Sequence, residues 1–559
     1  MDAINGIVNA FRGNPFYFSA IFLLPLLLPV LASRVVSNRR ANVREPWKLP
    51  NWKGIPLIGN TIEYLVNNSS FITRTALAMQ TRDIVQFYLG PIRAYLVSGP
   101  QNVQALFRKS ASVSADKFSL MTMDALMCYS KEDIAKFASD KTGRLAEAKE
   151  GAVAPDGTRY WFGMHHHMKT LSQITSTSVL TDKFLEFFDE RVQVYPLGEP
   201  VTVNLYNFMR TQMAGAAIRA LVGDALFARV GEENLLDAFW AYDSVVINLM
   251  YALPKWIDPK PWKIRARAYG MCLEWLKQDF DAVGSPESEE NDVDWHPVMG
   301  LRFLREYLVW YKKVGLSDDA RAGNFLGFLL GLNANTIPIA GWALMEIVQD
   351  RQLWRAVQEE AESAFEVNPG TGKRKLNIHK MMGLPILQSV YAETLRVHVS
   401  VNVTREVVGE SASIAGYQLP RNSLIQAPTR IAHFNEKAWA TADHSASEFW
   451  PYRHVKYANI QDENGEKTEK PEFVLAAGPN DFFPYGGGVS ICPGRHFAKQ
   501  EIMATIAVMV TTFEIEMVEW MSFDGKTKSD RPAQENAKYS GSASMPPDRD
   551  MKVRWIRRV

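Results

Sequence analysis

The amino-acid sequence predicts a mainly α-helical protein with small β-sheets, preceded by an N-terminal transmembrane helix. Residues 170–315 are mostly amphipathic helical segments, and a longer run beginning at Ser317 is apolar on most faces, as a buried helix is. Ile84–Gln86 and Arg93–Val97 are short apolar or alternating stretches between turn signals, which is typical of strands. Near the N-terminus, Phe16–Ala32 contains no charged residue. These three observations define the predicted fold class.

The composition limits the possible functions. The chain has 559 residues, of which 47% are hydrophobic, so it can bury a sizeable core. Its net charge of +1 shows no footprint of a nucleic-acid partner. Three cysteines, Cys128, Cys272 and Cys492, are too few for a disulfide framework and suit a reducing compartment that faces the cytosol.

The N-terminal apolar stretch is predicted to anchor the chain in a membrane. Phe16–Ala32 approaches the roughly 20 residues that a spanning helix needs. Four arginines follow it, starting at Arg34, whereas only Arg12 precedes it, so the positive-inside rule leaves the bulk of the protein in the cytosol. The alternative is a cleaved signal peptide, but the long apolar region and the basic flank favour an uncleaved anchor.

Repeated prolines after the anchor predict a stiff connector, because proline fixes φ and prevents helix formation. The predicted organisation is therefore an anchor over residues 1–40, a proline-rich hinge over 41–60 and a catalytic domain over 61–559. The segment Ser110–Gly163 of that domain is predicted to be poorly regular, and it is either a lid or binding loop or plain surface. Gln461–Glu472 is predicted to be a charged, solvated insertion.

The stretch Pro484–Ala498 is the strongest candidate for a functional site. It places Cys492 between three consecutive glycines and a Pro-Gly step, just before an apolar helix predicted over Phe497–Val510. A helix N-terminus favours a thiolate over a thiol. A thiolate held by backbone donors is a poor nucleophile but a good soft ligand. The alternative is a buried free cysteine, which the flanking turn residues make less favourable.

The long apolar helix contains a second candidate. Its N-terminus has favourable residues, with Ser317 as the N-cap and two acids in the first turn. Asn333–Pro338 then places amides, a threonine and a proline inside a buried helix, where each is disfavoured. Such local rule-breaking indicates a functional site. The alternative is a helix kink with satisfied amides.

A third candidate is a charged pair on a helix that opens at Leu384-Pro385. Glu393 and Arg396 are three residues apart, so they share a helix face and can interact. An exposed pair of this kind contributes well under about 1 kcal/mol. This pair is flanked by Val390 and Val397, which favours a buried position.

The stretch around Cys492 resembles the haem-binding loop of the cytochrome P450 superfamily, with its pattern F-x-x-G-x-R-x-C-x-G. Gly488 and Cys492 match that pattern, and Ala498 matches a common extension. Tyr485 replaces the usual phenylalanine, and Ser490 replaces the cation that pairs with a haem propionate. The resemblance implies heme b as cofactor, held by an axial Cys492 thiolate that favours O–O cleavage. It also implies that Gly488 and Ala498 belong to the cofactor-binding loop.

Three further residues resemble the structural triad of that superfamily. Glu393 and Arg396 match its E-x-x-R pair, and Arg453, which follows Phe449–Tyr452, matches the second arginine. The resemblance implies that these three side chains hold the core behind the haem and have no chemical role.

The missing propionate cation at Ser490 has two candidate replacements. Lys169 lies in His165-x-x-x-Lys169, where the superfamily often has W-x-x-x-R, and an alternative phase uses Trp161 and His165. Arg405 lies in a segment from which an arginine can reach a propionate in relatives. Whether Lys169 or Arg405 makes this contact stays open.

The segment Ala334–Pro338 looks like the sterol 7α-hydroxylase branch of the superfamily, and the prostacyclin-synthase branch shares its asparagine. Thr336 matches the threonine of the oxygen-activating helix, whereas Asn335 replaces an acid. The resemblance implies that both residues are catalytic. Thr336 would hold the oxygen ligand or a water and deliver a proton, and Asn335, which cannot titrate, would only orient water.

The resemblance as a whole implies a cytochrome P450 fold and a single-pass protein of the endoplasmic reticulum membrane with its catalytic domain facing the cytosol. It implies a haem-thiolate monooxygenase that uses O₂ and electrons from an NADPH-dependent reductase. The expected substrate is a lipophilic small molecule, such as a sterol, terpenoid or related polycyclic secondary metabolite. One alternative is an isomerase or dehydratase that acts on a peroxide without a reductase. Another is a haem- or lipid-binding protein with no catalysis.

Overall fold

A computed structural model describes most of the chain. The predicted anchor lies outside the described residues, as does most of the predicted hinge. Within the described part, one helical stretch, Asp318–Gln349, is long and apolar enough to cross a membrane, but 67% of its apolar window is buried, as in a core helix. The described ranges are 45–51, 60–109, 111–250, 255–283, 293–367, 369–370, 372–461, 467–478 and 480–559.

Helices dominate the described part of the chain, as the sequence predicts. Two short π-helical turns, Met209–Met213 and Leu276–Phe280, continue neighbouring α-helices. The α-helices are α1 (Thr61–Val66), α2 (Asn68–Met79), α3 (Pro100–Arg108), α4 (Asp116–Ala125), α5 (Lys131–Ser139), α6 (Tyr160–Thr170), α7 (Ile174–Val192), α8 (Leu205–Phe208), α9 (Ala214–Val222), α10 (Ala225–Val230), α11 (Glu232–Asp243), α12 (Val246–Met250), α13 (Lys260–Trp275), α14 (Arg302–Lys313), α15 (Asp318–Asn333), α16 (Thr336–Gln349), α17 (Arg351–Ser363), α18 (Ile378–Met381), α19 (Pro385–His398), α20 (Thr429–His433), α21 (Glu436–Trp439) and α22 (Arg495–Thr512).

The strands are short and form several small sheets, which also agrees with the prediction. They are β1 (Trp47–Lys48), β2 (Ile84–Leu89), β3 (Ile92–Val97), β4 (Val113–Ser114), β5 (Pro200–Asn204), β6 (Trp295–His296), β7 (Gly300–Leu301), β8 (Phe365–Val367), β9 (Arg374–Leu376), β10 (Val399–Val407), β11 (Ser411–Ile414), β12 (Tyr417–Pro420), β13 (Leu424–Pro428), β14 (Val455–Gln461), β15 (Lys467–Phe473), β16 (Phe513–Ser522), β17 (Ser542–Ser544) and β18 (Arg549–Arg557).

The chain divides into two compact units, and the smaller comprises residues up to Ser114 together with Thr404–Ala427. It contains the predicted strands: β2 and β3 pair antiparallel, and β1 and β13 add to them in parallel. Gly90 makes the tight β2–β3 turn with a φ of 54°, which a residue with a Cβ rarely adopts. β11 and β12 form an antiparallel hairpin.

The larger unit comprises Ala115–Val403 and Pro428–Val559, and it contains the long apolar helix. Ser317 caps α15 by accepting a hydrogen bond from the Ala320 N–H. The helix breaks at residues 334–335 and resumes as α16, so the predicted interruption falls where the amides and proline cluster. α22 packs against α16, α17, α7 and α19. β18 lies between β16 and β5 in an antiparallel sheet.

The prediction of irregular structure was wrong in part. The segment Ser110–Gly163 contains α4, α5 and the start of α6, and Ser130 caps α5 by accepting from the Asp133 N–H. Its weak apolar periodicity hid these helices, because burial of a few residues such as Met123 and Phe137 was enough to stabilise them. Of the predicted charged insertion, residues 461 and 467–472 belong to an antiparallel ribbon of β14 and β15, in which Lys456 pairs with Glu472.

Candidate haem-thiolate site

A tight loop presents Cys492 just before helix α22. Gly486 and Gly488 have φ angles of 70° and 67°, a left-handed conformation that favours glycine. The Gly486 N–H donates to the Phe483 carbonyl at 2.9 Å, and the Cys492 N–H donates to the Tyr485 carbonyl at 3.1 Å. These bonds fold the chain back on itself, so the cysteine is held by backbone geometry.

The groups around the Cys492 thiol shift its pKa in opposite directions. Burial raises its pKa, while the backbone N–H groups of Gly494 and Arg495 and the positive charge of Arg495 act to lower it. The side chain is nevertheless partly exposed. Backbone donors and a nearby cation are the groups that stabilise a metal-bound thiolate.

The C-terminal end of α6 contacts the cysteine loop. The Ser172 hydroxyl donates to the Pro493 carbonyl at 2.6 Å. A Cβ added to Gly494 would lie 3.9 Å from a methyl group of Leu171. Lys169, at the end of the same helix, is exposed. The loop and the predicted Lys169 thus lie in one contiguous region of the larger unit.

The sequence leaves two residue pairs on α6 as candidates for the propionate contact, His165 with Lys169 or Trp161 with His165. Their side chains differ in how far they are engaged elsewhere. The Trp161 indole N–H donates to the Phe137 carbonyl at 2.8 Å, and the ring is only 1% exposed. The Arg144 guanidinium lies 4.4 Å from that ring. His165 is half-buried, and burial lowers its pKa. Trp161 is therefore committed to the core, which favours the phase with Lys169.

The break between α15 and α16 exposes a polar edge on an otherwise buried helix. The Thr336 hydroxyl donates to the Leu332 carbonyl at 2.6 Å. The Asn335 side-chain oxygen accepts a hydrogen bond from the Ser544 N–H at 3.0 Å, which ties the joint to the C-terminal turn. Asn335 and Gly331 are exposed, and a Cβ added to Gly331 would meet no atom within 4 Å. One side of this joint therefore borders open space.

The structure brings Glu393, Arg396 and Arg453 together, each with 0% of its side chain exposed. Two nitrogens of Arg396 donate to the Glu393 carboxylate at 2.7 and 2.8 Å, and Arg453 Nε donates to it at 2.9 Å. The Trp450 N–H adds a fourth hydrogen bond at 2.9 Å. Other guanidinium N–H groups donate to backbone carbonyls of His433, Trp439, Ser445 and Glu448.

This arrangement keeps the Glu393 carboxylate charged. Burial alone would raise its pKa, but hydrogen bonds from Arg396 and His454, together with the charges of Arg396 and Arg453, outweigh burial and lower the pKa to about 2. A buried ion pair whose members are all hydrogen-bonded is costly to break, because the remaining charge would be left unpaired.

The other predicted cofactor-binding residues differ in exposure and in the unit to which they belong. Gly488 is exposed and left-handed, and Ala498 is buried on α22. Arg405 belongs to the smaller unit, where it is 9% exposed and one of its guanidinium nitrogens donates to the Thr404 carbonyl at 2.8 Å. A propionate contact from Arg405 stays a prediction.

Sequence reasoning missed one buried polar group of this region. Glu501 lies on α22 with 0% exposure, and neither carboxyl oxygen has a hydrogen-bond partner among the described residues. A signal was available, since an acid nine residues after Cys492 interrupts an otherwise apolar helix. The predictions used the loop before that helix and overlooked the helix itself.

The residues of this region fit a haem. A partly exposed thiol with backbone donors would supply one soft axial ligand. The helix joint is open at Gly331, where an added Cβ would meet no atom within 4 Å. A helical protein with small sheets and a cysteine loop of this kind defines the class of haem-thiolate proteins.

Comparison with known proteins agrees with that class. The family model for cytochrome P450 matches residues 182–532. The chain is 41% identical over 537 residues to the cytochrome P450 monooxygenase calL of Penicillium decumbens, covering 95% of this chain and 96% of the relative. It is 26% identical over 336 residues to cytochrome P450 7A1 of Rattus norvegicus, covering 57% and 61%. The chain therefore belongs to the cytochrome P450 family, and it is a monooxygenase with heme b and a cysteine axial ligand.

Proposed function

We propose that this monooxygenase hydroxylates or otherwise oxidises a lipophilic polycyclic small molecule, a sterol or a terpenoid secondary metabolite, with electrons from an NADPH-dependent reductase. A relative from Cricetulus griseus that is 26% identical over 334 residues is named cholesterol 7-alpha-monooxygenase, and it covers 57% of this chain and 60% of its own length. The fungal relative calL is far closer in sequence. Both names support monooxygenation, and the name of the Cricetulus griseus relative supports a sterol substrate.

The observation that carries the proposal is the open side of the α15–α16 joint. Gly331 and Asn335 are exposed there, whereas Leu329, Ile337 and Ile339 are buried. The joint therefore presents the side-chain amide of Asn335 on a helix that is otherwise apolar. A site of this composition suits a largely apolar ligand with few polar groups.

The residue roles follow from this placement. Cys492 supplies the axial thiolate, and the bound haem supplies the O₂-activating redox chemistry. Either Lys169 or Arg405 is the proposed cation for a propionate, in place of the cation absent at Ser490. Thr336 holds a proton on its hydroxyl at the joint, and Asn335 orients water without titrating.

Glu393, Arg396 and Arg453 are proposed to hold the core rigid, with no part in the chemistry. Their charged atoms face one another, backbone groups and His454. Gly488 allows the tight cysteine loop, and Ala498 on α22 is proposed to belong to the cofactor-binding segment.

We also propose a single-pass anchor over residues 1–40, a hinge over 41–60 and a catalytic domain over 61–559, placed at the cytosolic face of the endoplasmic reticulum membrane. Expression of the full chain and of a chain starting at residue 41, followed by membrane fractionation, tests this proposal. We expect only the full chain to remain in the membrane after a high-salt wash. Retention of both chains would place the membrane contact elsewhere.

Product analysis tests the substrate class. The full chain with haem, an NADPH-dependent reductase and ¹⁸O₂ is incubated with cholesterol and a panel of di- and triterpenoids. We expect a product heavier by one ¹⁸O atom that requires both NADPH and reductase. Anaerobic turnover of a lipid endoperoxide without a reductase would instead favour the isomerase alternative, which the amide at Asn335 permits.

A further inference from the structure

A buried cluster of polar side chains lies beside the first half of α15 and has no part in the chemistry described above. Its members are at most 8% exposed: Tyr129, Tyr307, Tyr311 and Asn324. Tyr129 follows α4, the other two tyrosines lie on α14, and the asparagine lies on α15. Burial raises the pKa of all three hydroxyls, so each of them keeps its proton at neutral pH. Buried polar groups are normally hydrogen-bonded, so each donor and acceptor of this cluster should have a partner.

Two glycines of α15 bring the loop after α4 against this helix. A Cβ added to Gly323 would overlap the Met127 carbonyl oxygen, and one added to Gly327 would lie 2.6 Å from the Met127 methyl carbon. Only glycine, which lacks a Cβ, therefore allows the loop to come this close. The contact holds Tyr129, two residues further along the loop, within hydrogen-bonding distance of Asn324.

The hydrogen bonds of the cluster are centred on Tyr311 and Asn324. The Tyr311 hydroxyl lies 2.8 Å from the Tyr129 hydroxyl and 3.1 Å from the Tyr307 hydroxyl. The Asn324 side-chain N–H groups donate to the Tyr129 and Tyr311 hydroxyls, each at 2.9 Å. A third contact of the same nitrogen, with Tyr307, is 3.5 Å long. All of these bonds use the nitrogen of the amide and none uses its oxygen.

The cluster has at least one donor and one acceptor more than it uses. Three hydroxyl protons are present, but only two contacts between hydroxyl groups can take up a proton. At least one hydroxyl proton therefore has no acceptor among the described residues. The Asn324 side-chain oxygen likewise accepts no hydrogen bond from the described part of the chain. One group that both donates and accepts would complete the network, and an alcohol hydroxyl is such a group.

Asn324 shares one face of α15 with the open side of the helix joint. Residues at i, i+4, i+7 and i+11 follow one line along a helix, and here they are Asn324, Phe328, Gly331 and Asn335. Their exposure increases along this line, from 8% at Asn324 through a partly buried Phe328 to the two exposed residues near the joint. Eleven residues of helix rise by roughly 16 Å. The cluster therefore lies at the closed end of this face, about one ligand length from the joint.

We propose that this cluster is a specificity subsite, which binds one hydroxyl group of the substrate at the end remote from the oxidised atom. The inference rests on the proposed function, because it assumes a lipophilic substrate on the open side of the joint. The substrate hydroxyl donates to Asn324 Oδ1 and accepts the spare tyrosine proton. A ketone can only accept, so it leaves the asparagine oxygen unpaired. The substrate class is thereby narrowed to alcohols.

Two matched pairs of probes test this subsite by titration of the Soret band of the haem-loaded full chain. One pair is cholestanol and cholestanone, and the other is 2-decanol and 2-decanone, so each pair differs only in a hydroxyl or a ketone. We expect each alcohol to bind about tenfold or more tightly than its ketone, because the ketone leaves a buried acceptor without a partner. Equal dissociation constants would mean that a water molecule completes the cluster, and they would overturn the proposal.

Substitution of the asparagine locates the preference. Asn324→Leu removes the acceptor, so the alcohol and the ketone should bind within about twofold of each other. Asn324→Ala makes the same test if the leucine variant does not fold. The matched control is Tyr160→Phe, which removes the hydroxyl of another buried tyrosine of the same apolar core. That hydroxyl donates to Asp156 at 2.6 Å, outside the cluster, so this variant should keep the wild-type preference.

The outcomes separate the subsite from the proposed substrate class. A preference for 2-decanol without binding of the cholestane pair would keep the subsite and remove sterols from the proposed function. Tighter binding of the ketones, or no Soret shift with either alcohol, would overturn the subsite. A preference that persists in a folded Asn324 variant would place the hydroxyl elsewhere and refute it as well. The reduced carbon-monoxide difference spectrum and the thermal midpoint verify that each variant is folded with its thiolate ligand.

Discussion

Two glutamates of the larger unit are buried to the same extent but have opposite environments. Glu393 on α19 and Glu501 on α22 are both 0% exposed, and the two helices pack against each other. Glu393 accepts hydrogen bonds from two guanidinium groups and a backbone N–H. Glu501 accepts none from the described residues.

The difference shows that burial by itself does not determine charge. The pKa of Glu393 falls to about 2 because its partners outweigh burial, whereas the pKa of Glu501 rises well above its usual value because nothing opposes burial except Thr336. One carboxylate is thus committed to holding the fold, and the other acid retains a proton beside the helix joint.

Removal of the iron ligand should have the largest effect and leave both glutamates intact. We expect Cys492→Ala to lose the thiolate-type carbon-monoxide difference spectrum and all NADPH-dependent oxidation, because no other soft ligand lies in the loop. Cys272→Ala is the matched control, since that thiol is buried and far from Cys492 in the sequence. A normal spectrum in Cys492→Ala would contradict the site described above.

Loss of the charged glutamate should destabilise the fold. Glu393→Leu leaves two guanidinium groups buried without their carboxylate, and breaking such a pair costs about 3–5 kcal/mol of unfolding free energy. Urea unfolding of the purified protein measures this change. Wild-type stability in Glu393→Leu would mean that Arg396 and Arg453 are satisfied by the backbone carbonyls alone.

The two glutamates should also give stability opposite pH dependences. The depressed pKa of Glu393 stabilises the fold above pH about 4.5, and this contribution of about 3 kcal/mol is lost as pH falls towards about 2. The raised pKa of Glu501 has the reverse sign, so stability falls as pH rises above about 4.5, where only the unfolded chain releases the proton. Unfolding free energies of wild type, Glu393→Gln and Glu501→Gln across that range measure both slopes. Parallel slopes for the two variants would refute the contrast.

The smallest stability effect is expected at the unpaired acid. Glu501→Leu replaces an unsatisfied polar group by an apolar one of similar size, so the unfolding free energy should stay constant or rise by about 1 kcal/mol. A large loss of stability would show that the carboxyl group has a partner that holds the fold.

Much of the site follows from local sequence. The glycines before Cys492, the capped apolar helix with Asn335 and Thr336, and the spacing of Glu393 and Arg396 each have a local physical signature. The helices of residues 116–139 were missed because their apolar periodicity is weak and tertiary burial stabilises them. The helix phase at Trp161 or Lys169 also stayed open, since either side chain suits the pattern.

The sequence alone determined which residue can ligate iron and where the apolar helix breaks, because turn chemistry and helix propensity act over a few neighbouring positions. Only the tertiary structure decided that Trp161 points into the core and that Glu501 lies unpaired near Thr336. Those outcomes depend on side chains from different elements of the fold, and no local preference specifies which of them meet.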